Sequence, residues 1–327
     1  MFESRRSRFV ALAAAVLASS LALAGCSGTS GTPNENPSDG EAVPIRLVMN
    51  NTVSSLMAVV AEKQGFFKDQ GLDVTSTVVT DISKIPPTLG QQYDIGFGVE
   101  PLIIRGASQG LKTLVVAGNI VSSTDAPSME LVVAKDSPIK TAGDMEGKIL
   151  ADATLTGNLH TGNLFWLKEN GVDPKSVKSV QVATPNMIDQ LNNHIIDVAG
   201  LQEPFLTLAK KQGMTVVANA LTAVAPSVFE SMWITSPDWA NDHADAIKRF
   251  RQALQDAIDW SEANQKDAKG ILAEFTKQDV ELVQASPLLK YKVEVTPDDL
   301  KVWGTAMAAV TDFKGSVDYD SLIYPFK

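Results

Sequence analysis

Two short segments of this chain recur about a hundred residues later, in the same order. Lys68–Asp73 (KDQGLD) recurs as Lys168–Asp173 (KENGVD), and Asp94–Pro101 (DIGFGVEP) recurs as Asp197–Pro204 (DVAGLQEP). A repeat with a nearly constant offset indicates that residues from about 45 to 120 and from about 147 to 224 are two copies of one α/β plan. We therefore expect two similar lobes.

The residue types of the repeated segments indicate what is copied. A polar turn with Gly at the left-handed position, followed by a branched apolar residue, is typical of a helix that ends and leads into a strand. Glu-Pro after a short apolar strand is typical of a helix start with Pro in the first turn. Ligands of open α/β sheets bind beyond the carboxyl ends of the strands. We therefore expect a ligand between the lobes.

The N-terminal segment has the pattern of an export signal. Arg5, Arg6 and Arg8 precede a small-apolar run that is short and alanine-rich for a transmembrane helix. The run ends in Leu23-Ala24-Gly25-Cys26, which resembles the cleavage box of bacterial lipoproteins, and Cys26 is the single cysteine. We predict a lipoprotein signal peptide over 1–25, lipidation of Cys26 and a flexible tether over 26–42. The protein would then be lipid-anchored on the extracytoplasmic face of the cell membrane, in contact with the membrane surface.

Charge narrows the choice of partners. The chain carries 28 basic and 38 acidic side chains, a formal net charge of −10. An acidic chain without a basic patch argues against binding to nucleic acid. The apolar content of 44% is typical of a soluble α/β protein.

Turn signals suggest where the chain passes between the lobes. Segments ending in Ser137-Pro138 and Ser236-Pro237 follow β-rich runs. We predict that residues 43–130 and 230–327 form lobe 1 and residues 131–229 form lobe 2, with a hinge of two segments that permits closure. Each lobe would be a doubly wound α/β unit.

Several local predictions accompany this plan. We expect Phe229–Thr235 to be one return strand, and a loop over Asp152–His160 to precede a helix that begins near Asn163. Asn193 is expected to take the left-handed conformation beside a solvent-exposed His194. Asn241 or Asp242 is expected to cap the helix that carries Ile247, Phe250 and Leu254.

The chain resembles the nitrate, sulfonate and taurine-binding family of ABC-importer receptors, which includes receptors for thiamine-pyrimidine precursors. The resemblance lies mainly in Ala61–Phe67 (AEKQGFF), Gly71–Val74 (GLDV) and Tyr93–Gly96 (YDIG), and extends over essentially the whole mature chain. It implies a type II periplasmic-binding-protein-like fold, a small-molecule solute in the cleft, and a membrane permease with its ATPase subunit as partners. We expect a monomer without a cofactor.

The resemblance also implies ligand-binding loops, and these coincide with the strand ends inferred from the repeat. All of the residues concerned are expected to face the cleft from one lobe or the other. They are Asn50, Asn51, Thr52, Ser54, Gly98, Glu100 and Asn119 in lobe 1, and Thr156, Gly157, Asn158, His160 and Glu203 in lobe 2.

The chemistry of the solute is left open by these loops. Helix N-termini and hydroxyl groups can bind an anion such as a sulfonate or nitrate without Arg or Lys. If Glu100 and Glu203 point into the cleft, however, they favour a cationic or amine-bearing solute and repel a sulfonate. A Glu before Pro can also serve only to stabilise a helix start.

An enzymatic alternative rests on Gly106-Ala107-Ser108-Gln109-Gly110, which matches the nucleophile motif of α/β-hydrolases. An exported serine hydrolase using Ser108 would need a strand before the serine, whereas the preceding residues favour a helix. His160, His194 and His243 lack the spacing of metal ligands, and we predict no metal site.

Overall fold

A computed structural model describes residues 42–326. The predicted signal peptide, Cys26 and nearly all of the predicted tether lie outside the described residues. No helix within residues 42–326 is long and apolar enough to cross a membrane.

The first lobe is built on a five-stranded sheet in the order β2-β1-β3-β12-β4. β1 is parallel to β2 and β3, whereas β12 runs antiparallel to β3 and β4. The strands are β1 (Val43–Met49), β2 (Leu72–Val78), β3 (Ile95–Gly98), β4 (Leu114–Gly118) and β12 (Met232–Thr235). The helices are α1 (Leu56–Gln64), α2 (Phe66–Asp69), α3 (Glu100–Ser108), α7 (Pro237–Asp242), α8 (Ala244–Ala263), α9 (Gln265–Thr276), α10 (Val280–Ala285) and α11 (Pro297–Val310).

The second lobe repeats this sheet. Its order is β10-β6-β9-β7-β8, with β7 parallel to β8 and β9, and with β6 antiparallel to β9 and β10. β6 pairs with β9 from Met129 onward, slightly before the predicted limit of lobe 2. The elements are β6 (Met129–Val133), β7 (Ile149–Asp152), β8 (Lys178–Gln181), β9 (Val198–Gln202), β10 (Thr215–Ala218), α4 (Asn158–Glu169), α5 (Thr184–Asn192) and α6 (Phe205–Lys211).

A small antiparallel sheet lies where the chain passes from one large sheet to the other. Its order is β11-β5-β13, and its strands are β5 (Ile120–Ser123), β11 (Ser227–Phe229) and β13 (Lys290–Tyr291). β5 follows β4 directly, and β11 comes just before β12. The two crossing segments are therefore hydrogen-bonded to each other.

The repeated sequence segments have the same structural roles in both lobes. Gly71 and Gly171 take left-handed conformations, with φ of 66° and 80°, as their turn position requires. The Asp94 carboxylate accepts the backbone N–H of Arg46 at 2.7 Å, and the Asp197 carboxylate accepts that of Ile149 at 2.8 Å. Each Asp thus fixes the start of its strand against the neighbouring strand. The two-lobed α/β prediction is confirmed.

The apolar core of each lobe is built mainly from its own residues, although Met129, Leu159 and Leu221 of lobe 2 pack into the core of lobe 1. In lobe 1, Trp233 packs edge-on against Phe97 and Phe250, and Phe250 lies on the predicted apolar face of α8. In lobe 2, Leu150 and Val198 cover one face of the sheet, while Ala151 and Ala199 cover the other. A parallel strand with apolar residues on both faces is typical of a doubly wound sheet.

Two predictions about element limits are wrong. The run Phe229–Thr235 is not one strand, because Glu230 and Ser231 separate β11 from β12 and the two strands belong to different sheets. The helix expected near Asn163 begins at Asn158, since Gly157 is extended and its carbonyl accepts both the N–H and the hydroxyl of Thr161.

Two further local predictions also need correction. His194 itself takes the left-handed conformation (φ 54°), whereas Asn193 has φ of −93° and donates its amide to Asp189. His194 is solvent-exposed, as expected. Asn241 and Asp242 do not cap α8, because both belong to α7 and His243 lies between the two helices.

Candidate functional site

The loop after β1 is organised by its own side chains. The Asn50 amide oxygen accepts hydrogen bonds from the hydroxyls of Thr52 and Ser55, at 3.0 and 2.9 Å. Thr52 in turn accepts the backbone N–H of Ser54. Asn51 is exposed beside them. The polar residues predicted for this loop therefore shape it before any ligand arrives.

Asn119, at the end of β4, fastens this loop to the return segment. Its amide nitrogen donates to the Ser54 carbonyl at 2.7 Å and to the Ser231 hydroxyl at 3.0 Å. Tyr291 of β13 donates its hydroxyl to the Val53 carbonyl at 2.9 Å, so the loop is held from two sides. Burial raises the pKa of Tyr291, with Glu230 adding to the effect. The tyrosine is therefore a neutral donor.

Two buried glutamates lie at the junction of the lobes. Glu100, the first residue of α3, is fully buried, and neither of its carboxyl oxygens has a hydrogen-bond partner. Glu230, between β11 and β12, is also buried. One of its oxygens accepts the Ser128 hydroxyl, and the other has no partner.

The environment of these glutamates favours their neutral forms. Burial raises the pKa of Glu100 well above its ordinary value, and the nearby Glu230 and Asp299 raise it further. Burial raises the pKa of Glu230 to about 7, against the lowering effect of the Ser128 and Ser122 hydroxyls. Two acids that cannot both hold a charge at low cost are typical of a functional site.

Asn158 of lobe 2 approaches this acidic pair at the start of α4. Its amide nitrogen donates to the Glu230 carbonyl at 2.6 Å, so a lobe 2 side chain is bonded to the segment that returns to lobe 1. The same amide lies near the Glu100 carboxyl, without a hydrogen bond of normal geometry. Asn158 therefore brings the predicted loops of the two lobes together.

His160 belongs to a buried polar group within lobe 2. Its Nδ1 lies 2.6 Å from one Asp152 oxygen, and the Asn163 amide donates to the other oxygen at 2.9 Å. Burial raises the pKa of Asp152, while the hydrogen bond to His160 lowers it. A Cβ at Gly200 would overlap an Asp152 oxygen, so the missing side chain of this glycine makes room for the group.

Glu203 has a different environment from Glu100. Its carboxylate accepts the backbone N–H of Thr207 at 3.1 Å, which stabilises the start of α6. It also lines a small gap between the lobes with Val53 and Lys269. Burial raises its pKa, and the bonds from Thr207 oppose this. The structure thus separates Glu203 from the Glu100–Glu230 pair.

The remaining predicted residues lie at the edges of the site. Thr156 is exposed and its hydroxyl lies 3.2 Å from that of Thr154. Gly157 is the extended residue before α4, and its carbonyl accepts the Thr161 hydroxyl. Gly98 ends β3, where a Cβ would press on Ile103 and Ile234. Its backbone can therefore lie close to the return strand.

The local geometry does not support the hydrolase alternative. Ser108 is the last residue of α3, and no strand precedes it. Its hydroxyl donates to the Arg105 carbonyl at 2.7 Å, the usual bond of a helical serine. A nucleophile elbow requires a sharp strand-to-helix turn that presents the hydroxyl. The motif is a coincidence of sequence.

Sequence reasoning missed Glu230. A signal was present, because Glu230 and Ser231 interrupt the otherwise apolar run Val228–Ile234. An acidic residue within such a run either marks the end of a strand or helix or is buried because it has a structural or functional role. Its partner Ser128 comes just before β6, at the other crossing.

Comparison with known proteins identifies the family of this chain. Residues 53–268 match the family model "NMT1/THI5 like". The chain is 24% identical over 277 residues to YtlA of Bacillus subtilis (strain 168), named a candidate binding protein, with 81% of this chain and 82% of the relative covered.

Solved structures share the fold. The aliphatic sulphonate-binding protein SsuA of Escherichia coli has a TM-score of 0.72 at 15% identity, with 86% of this chain and 92% of SsuA covered. The nitrate-binding protein NrtA of Synechocystis PCC 6803 has a TM-score of 0.66 at 15% identity, with 86% and 85% covered. The fold is that of the periplasmic binding proteins. The chain belongs to the NMT1/THI5-like family.

Proposed function

We propose that this protein is an extracytoplasmic solute receptor of an ABC import system, which captures a small polar organic or nitrogen- or sulfur-containing solute between its lobes. The supporting observation is the meeting of Asn158 with Glu100 and Glu230, since it joins the predicted loops of both lobes at one buried polar site. A small-molecule site is expected at such a junction, lined by a few convergent polar groups.

The mechanism is a shift between open and closed forms. Residues 43–130 and 230–327 would move as lobe 1 and residues 131–229 as lobe 2, about the paired segments β5 and β11. A solute that contacts both lobes favours the closed form by its difference in affinity for the two forms. The closed form is what the permease, together with its ATPase subunit, would recognise.

Anchoring and partners complete the proposal. Lipid on Cys26 would anchor the receptor on the extracytoplasmic face of the cell membrane, with residues 26–42 as a tether. The receptor would act as a monomer, without nucleic acid or cofactor, and without catalysing a reaction on its solute. Further residues from the predicted loops are proposed to shape or contact the solute site. They are Asn50, Asn51, Thr52, Ser54, Gly98, Asn119, Thr156, Gly157, His160 and Glu203.

A solute screen tests the function. The purified full chain is heated with nitrate, taurine, alkanesulfonates, aminopyrimidines, polyamines and aromatic acids, and any stabilising solute is then examined by small-angle X-ray scattering. A solute at a hundredfold its Kd stabilises the fold by about 2.7 kcal/mol and should reduce the radius of gyration on closure.

Controls separate binding from catalysis. Ser108→Ala should bind as the wild type does, because its hydroxyl serves only the end of α3. Chemical conversion of the bound solute, or stabilisation without compaction by every active solute, would contradict the proposal.

A further inference from the structure

The junction of the lobes holds three buried carboxyl oxygens without a hydrogen-bond partner. They are both oxygens of Glu100, which is 0% exposed, and Oε2 of Glu230, which is 3% exposed. A buried polar atom left unpaired costs about 1–3 kcal/mol, and more if it is charged. Groups of this kind are seldom kept in a fold without a partner for some state of the protein.

Residues from both lobes lie around these oxygens. Glu100 begins α3 in lobe 1, Glu230 lies in the crossing segment, and Asn158 approaches both from lobe 2. Closure over two ionised carboxylates is unfavourable unless they take up protons or a positive charge enters with them.

We propose that Glu100 and Glu230 together bind the nitrogen cation of an organic solute, a protonated amine or an amidine-like group, so that the cleft closes on cations and rejects sulfonates and nitrate. This inference rests on the proposed receptor function and specifies its solute class. The N–H groups of such a cation can donate directional hydrogen bonds to several carboxylate oxygens at once. A monatomic cation has no such donors.

A metal ion fits the site less well. Within residues 42–326 no group of three or more His, Cys, Asp and Glu side chains is arranged to hold one. Mg²⁺ and Ca²⁺ prefer six or more oxygen ligands. Two carboxylates and one amide are too few for either ion, but they suit a nitrogen group with two to four hydrogens.

An anion fits worse still, because within residues 42–326 no Lys or Arg is hydrogen-bonded to Glu100 or Glu230. The Arg46 guanidinium is bonded to Asp94, and Arg251 donates to the carbonyls of Val116 and Val293. Lys292 is exposed, with Nζ 5.8 Å from the centre of the Phe229 ring. A sulfonate would therefore lie beside two carboxyls that no cation pairs with, and as pH rises through the range in which Glu230 ionises it would meet negative charge.

Protons and the cation should compete for the same oxygens. The titratable groups that act on the pair are the two glutamates themselves, Asp299 at the start of α11 and Tyr291 on β13. In the closed empty protein the raised pKa of Glu230, about 7, keeps that carboxyl mostly protonated below neutral pH. A permanently charged solute displaces the proton, so binding should release protons near neutral pH and strengthen as pH rises through that range.

A series of probes matched in size tests the charge requirement. Acetamidine, acetamide and methanesulfonate, and the larger benzamidine, benzamide and benzenesulfonate, are titrated into the purified full chain at about pH 7.5. The amidines should bind at least about tenfold more tightly than their neutral analogues, and the sulfonates should not bind detectably. Calorimetry in two buffers of different ionisation enthalpy should show proton release with the amidines.

Variants assign the effect to the pair. Glu100→Gln and Glu230→Gln should each weaken amidine binding by about 30-fold or more, which corresponds to the loss of one buried charged partner. Glu169→Gln, an exposed change at the end of α4, should have no effect. Glu230→Gln should also reduce the proton release.

The outcomes distinguish this inference from the receptor function. If a sulfonate or a neutral analogue binds and closes the lobes while its amidine does not, the cation inference is wrong and the receptor function stands. If no amidine binds but the solute screen finds a closing anion, the conclusion is the same. If neither these probes nor the screen produces binding and closure, both fail.

Discussion

Phe97 in lobe 1 and Gly200 in lobe 2 occupy equivalent positions in the two copies of the repeated segment. Phe97 fills the core by packing edge-on against Trp233, at 6.3 Å between ring centres. Gly200 leaves space for Asp152, which holds His160 and Asn163. The equivalent strands of the two sheets, β3 and β9, thus contribute to an apolar core in one lobe and support a polar group in the other.

The Glu-Pro pair at the end of each copy differs in the same way. Glu203 finds a partner in the backbone of its own lobe, whereas Glu100 has no partner and faces the other lobe. A repeat preserves the backbone plan, because both lobes need the same turns and strand pairing. The side chains at the strand ends are free to take different roles, and at this junction they do.

The largest expected effect is on the pH dependence of the free energy of unfolding. Glu100 and Glu230 should contribute to it more than Glu203 does. Burial raises the pKa of Glu230 from 4.5 to about 7. Because the folded protein holds this proton more tightly than the unfolded chain does, the stability is fully present below about pH 4.5. The free energy of unfolding then falls by about 3 kcal/mol as pH rises towards 7. Urea unfolding of the ligand-free protein at about pH 5 and pH 8 measures the loss.

Variants sharpen this prediction. Glu230→Gln should remove much of the slope, and Glu100→Gln should reduce it in the same direction. Glu203→Gln should retain most of it, because its bonds from Thr207 oppose the effect of burial. An equal slope in all three variants would show that the two Glu-Pro copies are equivalent.

A smaller effect is expected at Gly200. Gly200→Ala places a Cβ against Asp152 and should destabilise the fold by about 1–3 kcal/mol, as overpacking does. Gly270→Ala is the matched control, since nothing lies within 4 Å of a Cβ there. That change, inside α9, should stabilise by about 0.5–1 kcal/mol. A harmless Gly200→Ala would mean that the polar group of lobe 2 is not tightly packed.

The smallest effect compares the two repeated aspartates. Asp197→Asn should cost about 1 kcal/mol or less, because the amide oxygen can still accept the Ile149 N–H. Asp94→Asn should cost a few tenths of a kcal/mol more, since it also loses the ion pair with the half-exposed Arg46. Arg46→Gln in each background tests this by a double-mutant cycle, in which only the Asp94 pair should show coupling.

Much of the fold could be predicted from the sequence because its signals are local. Glycines at left-handed turns, the apolar face of α8 and the two repeated segments all act within a few residues. The predicted ends of helices and strands were less accurate where a residue distant in sequence determines them. Helix α4 begins at Asn158, whose own side chain donates to the carbonyl of Glu230, 72 residues away. The strand break at Glu230 reflects a change of sheet, which composition alone does not show.

The candidate site divides in the same way. Polar loops at the strand ends could be predicted from the sequence, and Glu100 and Asn158 were among the residues named; that these loops bind a solute stays a prediction. Glu230 was missed, and Glu203 was grouped with Glu100 although their environments differ. Which carboxyl is buried, and which has a backbone partner, depends on residues brought together from separate segments.

The sequence by itself determined the family, the repeated α/β plan and the strand ends at which a solute site should lie, since these follow from turn chemistry and periodicity along the chain. Only the tertiary structure decided which acids meet at the junction and what charge they can hold. A carboxyl pKa depends on burial and on neighbouring charges, and for Glu100 both come from parts of the chain far away in sequence.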